Sequence, residues 1–462
     1  MLTAFKSQRR IVQKSFQFRD QKFGDRMARG RTAAYKDNGG RTSSPSILYV
    51  PACIFCSMLA LSLILSHVLS AAIAARLPYD VHKIVDAFRH PHDDLIILCA
   101  HRGSRWNGTT ENSRDAYFRA TQNGIECIET DIRMSADGHI VMLHDAGLGR
   151  TTDVGEYTGQ TAYNPFTGQG YNPLLRKSNY SGFVENLHLR DEGGRVHIET
   201  VPLVTDLVQS IHDTGANVVL QLDFKEKDAV APTYYALKSM TNAAGVPANE
   251  WCIYKTQAVW WKTPEDFEAE AWVQDAFANN ISLTLLPVYQ PADSWSWDIA
   301  ASVKAFQRTN YSISSEFEKK SQGGPLQEGQ DAVLDGRAEG NVSFDTFGCF
   351  FAIGDLVQPI STAFYDTANF SLPADERVNG SVFQYSENHA PVLLDIFAGN
   401  ATSDGRDHRS DFDWILQQGN TWVIADTADL WHARLQAEGK RNLTRMLADG
   451  KSLPEPGRGW YV

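Results

Sequence analysis

The chain has 462 residues, of which 43% are apolar and 21% charged, a composition typical of a folded protein with a large core. Its formal net charge is −12, but residues 1–45 hold eleven lysines and arginines against three aspartates, which leaves −20 on residues 76–462. Because phosphate backbones require clustered cations, this acidic body excludes nucleic acid as the expected partner.

Residues 46–75 carry no formal charge. A transmembrane helix needs about 20 apolar residues, so this segment predicts one uncleaved membrane span, a signal-anchor. The basic residues 1–45 then predict a cytosolic tail, and hence a single-pass type II membrane protein with a luminal or extracellular body. A cleaved signal peptide ending at Ala72–Ala74 is the alternative, although its leader would be unusually long.

The sequence after this span predicts a glycoprotein. Residues 76–94 resemble a short stalk, and residues 95–455 are predicted to form one domain. Nine Asn-x-Ser/Thr sequons follow the span and none precedes it, as expected for a luminal chain. These sequons begin at Asn107, Asn179, Asn280, Asn310, Asn341, Asn369, Asn379, Asn400 and Asn442.

The six cysteines do not form a metal-thiolate pattern, since no CxxC pair recurs with zinc-site spacing. Cys53 and Cys56 lie in the predicted span. The other four are expected to be buried apolar side chains, and they allow one disulfide whose partners the spacing leaves open.

Strand-like apolar runs alternate with helical patterns throughout the body, which predicts an α/β fold, a TIM (β/α)8 barrel with long surface insertions. Helices are predicted over 113–122, 204–214 and 231–243. Residues 148–182, rich in Gly, Asn and Tyr, predict an excursion over the barrel mouth, and the polar residues 319–345 predict a second insertion. The predicted strands are 95–103, 124–133, 217–225, 250–256, 281–289, 310–318, 391–397 and 421–427.

Polar residues concentrate at the C-terminal ends of the first three predicted strands. In "VVLQLDFK" the alternation of side chains places Asp223 and Lys225 on the inward face, and in "IECIETD" it does the same for Glu129 and Asp131. The first strand ends at His101. Barrel enzymes build their active sites at these ends, so the five residues are expected to converge.

A hairpin adds a second histidine. In "ETDIRMSADGHIVMLHD" the connection "SADG" is too short for a parallel crossover, so the chain must reverse. A turn centred on Ala136 and Asp137 predicts that Glu129 lies opposite His144 and that Asp131 lies opposite Met142.

These side chains suit phosphodiester cleavage. Three neighbouring carboxylates repel one another unless a cation lies between them, and hard oxygen ligands favour Ca²⁺ or Mg²⁺. Two histidines can exchange protons near neutral pH, and Arg102 and Lys225 can bind a phosphate whose charge grows in the transition state. Each residue alone is more often packed or solvated, so the interpretation depends on their convergence.

The ordered motifs resemble the glycerophosphodiester phosphodiesterase family, within the superfamily of phospholipase C-like TIM-barrel phosphodiesterases. The resemblance is strong over residues 95–225 and weak beyond them. The motifs are "AHRG" (100–103), "ENS" (111–113), "IETDIRMSADGHIVMLHD" (128–145), "GRTTDVG" (149–155), "TVPLVTDLV" (200–208), "LQLDFK" (220–225) and "WVIADTADL" (422–430).

The resemblance implies hydrolysis of glycerophosphodiesters to glycerol 3-phosphate and an alcohol with a divalent cation, and thus a role in lipid and glycerol metabolism. It implies an acid/base pair in His101 and His144, which act through a cyclic phosphate, and phosphate binding by Arg102 and Lys225. The implied metal ligands are Glu129, Asp131 and Asp223.

The chain departs from the family pattern at Asp223-Phe-Lys225, where the family usually has Glu-x-Lys. Asp-x-Lys with "IETD" is similar to the sphingomyelinase D type of phospholipase, which cleaves lysophospholipid headgroups. Such an enzyme, and an inactive barrel that binds a surface ligand, are the two alternative interpretations. A membrane anchor fits either enzyme, since both meet lipid-derived substrates.

Overall fold

The computed structural model describes residues 78–105, 109–164, 168–191, 194–290, 297–319, 322–351, 409, 412–426 and 428–453. Within these ranges, eight parallel strands form a closed barrel in the order β1-β2-β6-β7-β8-β9-β10-β11, and β11 pairs with β1. The strands are β1 (Ile97–Ala100), β2 (Cys127–Met134), β3 (Ile140–Met142), β4 (His188–Arg190), β5 (Val196–Thr200), β6 (Val219–Phe224), β7 (Cys252–Gln257), β8 (Leu285–Tyr289), β9 (Ser315–Phe317), β10 (Phe347–Phe351) and β11 (Trp422–Ala425).

Helices surround the barrel and bury one apolar face each, as the predicted periodicity requires. The predicted helix at 113–122 begins after Ser113, whose hydroxyl accepts the backbone N–H of Ala116. The α-helices are α1 (Val81–Arg89), α2 (Arg114–Gln122), α3 (Val154–Thr158), α4 (Val204–Thr214), α5 (Val230–Leu237), α6 (Ala248–Trp251), α7 (Pro264–Glu268), α8 (Ala271–Ala278), α9 (Ile299–Phe306), α10 (Pro325–Glu339), α11 (Phe412–Gln417) and α12 (Ala428–Ala437).

Residues 81–89 form a packed helix, where we predicted part of a stalk. Asp80 caps α1 by accepting the backbone N–H of His82, and Ile84 and Phe88 are fully buried in the barrel core. The apolar residues of this helix recur at helical spacing and need a surface to cover them. The segment therefore belongs to the barrel domain.

The predicted hairpin is present, but its predicted register is wrong by one residue. Ile132 pairs with Met142, and the backbone N–H of Leu143 donates to the carbonyl of Asp131, so Asp131 does not lie opposite Met142 and Glu129 does not lie opposite His144. The turn holds three residues, because Gly138 adopts a left-handed conformation with φ of 85°. A glycine in this conformation is typical of three-residue hairpin loops.

Two predictions in the second half of the barrel are also corrected. Residues 325–339, within the predicted surface insertion 319–345, form α10, which buries Leu326 and Val333 against the barrel. The seventh barrel strand is β10, whose glycine and aromatic residues we did not predict as a strand; the predicted strand 391–397 lies outside the described residues. Gly348 is required in β10 because a Cβ there would lie 2.2 Å from the ring of Trp422.

The excursion after His144 forms a small layer with its own core. The antiparallel strands β4 and β5 belong to it, and Leu148, Val154, Leu187 and Val201 are buried together within it. This layer extends from the end of β3 to the start of α4.

Cys99 and Cys127 form a disulfide between the neighbouring strands β1 and β2, and Cys252 and Cys349 are buried. The predicted membrane span at 46–75 lies outside the described residues. Across the ranges that are described, no helix is both long and apolar enough to span a bilayer.

Of the sequons within these ranges, four expose their asparagine, namely Asn179, Asn280, Asn310 and Asn341, and glycosylation stays a prediction.

Candidate active site

All eight parallel strands contribute inward side chains near the C-terminal end of the barrel, which we call the mouth. The register pairs Asp131 of β2 with Asp223 of β6, and Asp223 with Lys255 of β7. Residues that are register partners on adjacent strands point to the same face of the sheet, so these three side chains share the inner wall. The inward residues near the mouth are His101, Glu129, Asp131, Asp223, Lys255, Val288, Glu316, Phe350 and Asp426.

Glu129, Asp131 and Asp223 lie together in the mouth, with one carboxylate oxygen from each within 4.8 Å of the others. All three are buried. Burial and the charge of Asp131 raise the pKa of Glu129. Burial opposes ionisation of Asp131 as well, but Lys225 and Arg102 outweigh it and hold the pKa of Asp131 well below its usual range.

This cluster fits a hard divalent cation. Oε1 of Glu129 and Oδ1 of Asp223 are buried oxygens without a hydrogen-bond partner among the described residues. Leaving such oxygens unsatisfied is costly, and Ca²⁺ and Mg²⁺ bind carboxylate oxygens of this kind. Despite the shorter side chain, Asp223 reaches the other two carboxylates, so the departure from Glu-x-Lys preserves the cluster.

His101 follows Ala100, the last residue of β1, and is held by Asp426, which follows Ala425, the β11 partner of Ala100. Its Nδ1 lies 2.7 Å from Oδ1 of Asp426, and its Nε2 lies 3.9 Å from Oε2 of Glu129. A carboxylate can only accept, so Nδ1 carries the proton in this bond and Nε2 is the nitrogen directed toward the carboxylate cluster. Arg105 also contacts Asp426, at 2.5 Å.

The sharp turn after His101 explains "HRG". Arg102 has φ of 56° and Gly103 has φ of 81°, and this turn directs the backbone N–H of Arg102 to Oε2 of Glu129 at 3.0 Å. The guanidinium of Arg102 lies over the cluster, with Nε 3.0 Å from Oδ2 of Asp131. A Cβ on Gly103 would lie 2.7 Å from the backbone carbon of Ala116, so the position also needs glycine for space.

Each residue of "ENS" has a separate role. Glu111 is buried and forms ion pairs with Arg102 and Arg105. The amide of Asn112 donates to Oδ2 of Asp131 at 2.8 Å and accepts the backbone N–H of Asp131 at 3.1 Å, which fixes that carboxylate in position. Ser113 caps α2.

His144 reaches the mouth through the hairpin and is oriented by its neighbour. Its Nδ1 lies 2.8 Å from Oδ1 of Asp145, and Arg150 donates to both oxygens of Asp145. Arg150 also binds Glu111, so "GRTTD" connects the two histidine loops. Partial burial and the nearby charge of Arg102 lower the pKa of His144, while Asp131 opposes this shift.

Lys225 lies between two of the carboxylates. Its Nζ is 2.9 Å from Oδ1 of Asp131 and 2.9 Å from Oδ2 of Asp223. Burial opposes protonation, but these carboxylates raise the pKa of Lys225, so the side chain stays cationic. The structure therefore brings together all seven residues that the sequence predicted for the site.

Three residues of the mouth were missed as site residues: Lys255, Glu316 and Asp426. The signal was available for the first two, because the alternation that identified Lys225 also places Lys255 and Glu316 near the ends of inward-facing strands. Asp426 lies within the weakly matching "WVIADTADL", and only the strand pairing shows that β11 borders β1.

Comparison with known proteins agrees with the motifs. Residues 101–252 match the model of the "Glycerophosphoryl diester phosphodiesterase family". The chain is 34% identical over 161 residues to the uncharacterized protein y4eD of Sinorhizobium fredii, covering 32% of this chain and 38% of that protein. It is 48% identical over 59 residues to glycerophosphodiester phosphodiesterase GDPD6 of Arabidopsis thaliana, covering 13% of this chain and 15% of that protein.

A solved structure is similar at lower identity. The crystal structure of a glycerophosphoryl diester phosphodiesterase from Parabacteroides distasonis is 15% identical, with a TM-score of 0.43 over 82% of this chain and 96% of that one. The two curated relatives are matched over less than two thirds of their length.

Proposed function

We propose that this protein hydrolyses glycerophosphodiesters to glycerol 3-phosphate and an alcohol, a proposal supported by the match of residues 101–252 to the model of the glycerophosphoryl diester phosphodiesterase family. The observation that carries the proposal is the pair of histidines beside the carboxylate cluster. Each histidine has its Nδ1 held by an aspartate, Asp426 for His101 and Asp145 for His144. In this arrangement Nε2 is the nitrogen of each ring that would accept or donate a proton during the reaction.

Glu129, Asp131 and Asp223 would hold a divalent cation, Ca²⁺ or Mg²⁺, which when bound neutralises their charge and stabilises the negative charge on phosphate. The guanidinium of Arg102 and the ammonium of Lys225 bind and orient the nonbridging oxygens of the phosphate.

Each histidine carries out one of the two proton transfers in the first step. Nε2 of one histidine takes the proton from the 2-hydroxyl of the glycerol moiety as its oxygen bonds to phosphorus. The other histidine donates a proton to the leaving oxygen of the alcohol, so that a cyclic phosphate forms. Water then opens this ring, with the two histidines in exchanged roles, and glycerol 3-phosphate is released.

The decisive experiment is turnover by the purified full chain. We expect release of glycerol 3-phosphate from glycerophosphocholine, with loss of activity on chelation. The His101→Ala and His144→Ala variants should each lose about 10²- to 10⁴-fold in kcat, the usual contribution of a general acid or base. His212→Ala is the matched control, since His212 lies on the outer helix α4 and its Nδ1 is 2.9 Å from the backbone carbonyl of Thr241.

Product analysis separates the alternatives. Lysophosphatidate or a cyclic lipid phosphate from a lysophospholipid, without turnover of glycerophosphocholine, would identify a phospholipase D of the sphingomyelinase D type. Absence of metal-dependent turnover on both substrate classes would refute the enzymatic proposal and favour a binding barrel.

We also propose that the protein is a single-pass type II membrane protein with its barrel in the lumen or outside the cell. The uncharged residues 46–75 and the sequons support this location. The Cys99–Cys127 disulfide supports it independently, because disulfides persist in oxidising compartments. An N-terminus near Ala75 in the native protein would show that the segment is cleaved instead.

A further inference from the structure

Lys255 and Glu316 form a buried ion pair on the side of the mouth away from the histidine loops. Nζ of Lys255 lies 3.0 Å from Oε2 of Glu316 and 3.3 Å from Oδ2 of Asp223. Lys255 is 5% exposed and Glu316 1% exposed. The pair connects β7 to β9, with β8 between them.

Burial makes this pair expensive, and it contributes little to a barrel core. Taking both charges out of water costs several kcal/mol per ion, and apolar residues of similar volume are often equally stabilising. On β8, which lies between them, Leu286 is opposite Lys255 and Val288 is opposite Glu316. An inner wall that accepts apolar residues at these levels does not need charges for packing.

The position of the Lys255 ammonium beside the carboxylate cluster indicates the role of its positive charge. Lys225 and Lys255 both contact the same oxygen, Oδ2 of Asp223, so the two ammonium groups lie side by side at the edge of the carboxylate cluster. A divalent cation bound by Glu129, Asp131 and Asp223 takes up the negative charge that now attracts both lysines. Glu316 then remains as the carboxylate that keeps Lys255 in the mouth.

We propose that Lys255, held in position by Glu316, is a third cation of the phosphate-binding site, beside Arg102 and Lys225. This inference rests on the proposed function and extends it, because it adds a substrate-binding residue on β7 and a positioning residue on β9. A phosphodiester gains negative charge in its transition state, and a desolvated ammonium beside a fixed counter-ion stabilises that charge without reorganisation.

The test is binding of inorganic phosphate, measured by titration calorimetry on the full chain with saturating Mg²⁺ or Ca²⁺. Lys255→Met should weaken phosphate binding about 10- to 100-fold, the range for loss of one charged hydrogen bond. Affinity for the metal should stay equal or increase, because a positive charge next to the cluster is removed. Glu316→Gln should weaken phosphate binding less.

Lys238→Met is the matched control, because Lys238 pairs with Asp275 between outer helices and should leave phosphate affinity unchanged. Removal of one member of a buried pair can prevent folding. The double variant Lys255→Gln with Glu316→Gln therefore replaces the pair by neutral amides, and it should show the same loss of phosphate affinity.

Unchanged phosphate affinity in folded Lys255→Met, or in the double variant, would overturn the inference and leave a structural ion pair. Glycerophosphocholine turnover by the wild-type chain is measured separately. Loss of phosphate binding in Lys255→Met without wild-type turnover would retain the anion site and reject only the proposed reaction. Wild-type turnover with unchanged KM and phosphate affinity in Lys255→Met would reject only the role of Lys255.

Discussion

At the scale of single residues, the site depends on side chains that orient other side chains. Asp426 and Asp145 each hold Nδ1 of a histidine, and Asn112 fixes Asp131 through two hydrogen bonds. Such contacts set which nitrogen carries a proton and where a carboxylate points. Their contribution can be measured one residue at a time.

Asp426→Asn should lower kcat by about 10- to 100-fold, part of the 10²- to 10⁴-fold that a general acid or base contributes. The variant removes the negative charge that stabilises protonated His101, so the limb of the pH–rate profile that reports His101 should move to lower pH. Asp429→Asn is the matched control, since Asp429 binds Asn123 on the outer surface. An unchanged pH profile in Asp426→Asn would contradict the orienting role.

Gly103→Ala should destabilise the fold by more than the roughly 1–3 kcal/mol expected for a strained backbone alone. Gly103 has φ of 81°, and its added Cβ would also meet the backbone of Ala116. Gly159 has φ of 67° with nothing within 4 Å of an added Cβ, so Gly159→Ala isolates the conformational cost. Urea unfolding of both variants measures the difference, and equal losses would show that the contact with Ala116 is relieved.

At the scale of elements, the first two barrel strands carry the site and are cross-linked beneath it. Cys99 lies two residues before His101 and Cys127 two residues before Glu129, so the disulfide lies on the inner wall below both. The strands β1 and β2 pair over a short stretch, Cys99–Ala100 with Cys127–Ile128. A covalent link there constrains the unfolded chain as well as the strand pair.

The Cys99→Ser/Cys127→Ser variant should lose about 3–4 kcal/mol of unfolding free energy, the entropic value for a loop closed over a sequence separation of 28 residues. Urea unfolding with and without dithiothreitol measures it. Reductant should destabilise the wild type and leave the double variant unchanged, because the variant lacks the Cys99–Cys127 disulfide. Equal sensitivity of both proteins to reductant would contradict the assignment.

At the scale of the whole molecule, a buried and a partly buried carboxylate connect the barrel to the excursion that follows β3. Glu111 and Asp145 are bridged by Arg150, which joins the loop after β1 to the loop after β3. Burial alone would raise the pKa of Glu111, but Arg150 and Arg102 hold it well below its ordinary value. The pKa of Asp145 is lowered against burial in the same way by Arg150.

A lowered pKa in the folded state gives a stability that is present above the unfolded pKa, about 4, and is lost as the pH falls toward the folded pKa. The unfolding free energy should therefore decrease below about pH 4, and Glu111→Gln should make this decrease shallower. Glu339→Gln, at an exposed helical position, is the control and should leave the slope unchanged. Urea unfolding between pH 3 and 7 tests this, and identical slopes in wild type and Glu111→Gln would contradict it.

The sequence by itself predicted the barrel fold and the seven residues that the structure brings together at its mouth, while their roles stay predictions. Side chains alternate along a strand, so Glu129, Asp131, Asp223 and Lys225 could be assigned to inward faces without coordinates. The hairpin followed from a connection too short for a crossover, which brought His144 toward the site. These inferences rest on local geometry, which depends on a few consecutive residues.

Only the tertiary structure decided what depends on contacts between distant segments. It paired β11 with β1, which brought Asp426 to His101, and it joined Cys99 to Cys127, a pairing the spacing had left open. It set the hairpin register through the left-handed conformation of Gly138. It also placed Lys255 against Glu316, because the closure of a sheet into a barrel brings strands together regardless of their separation in sequence.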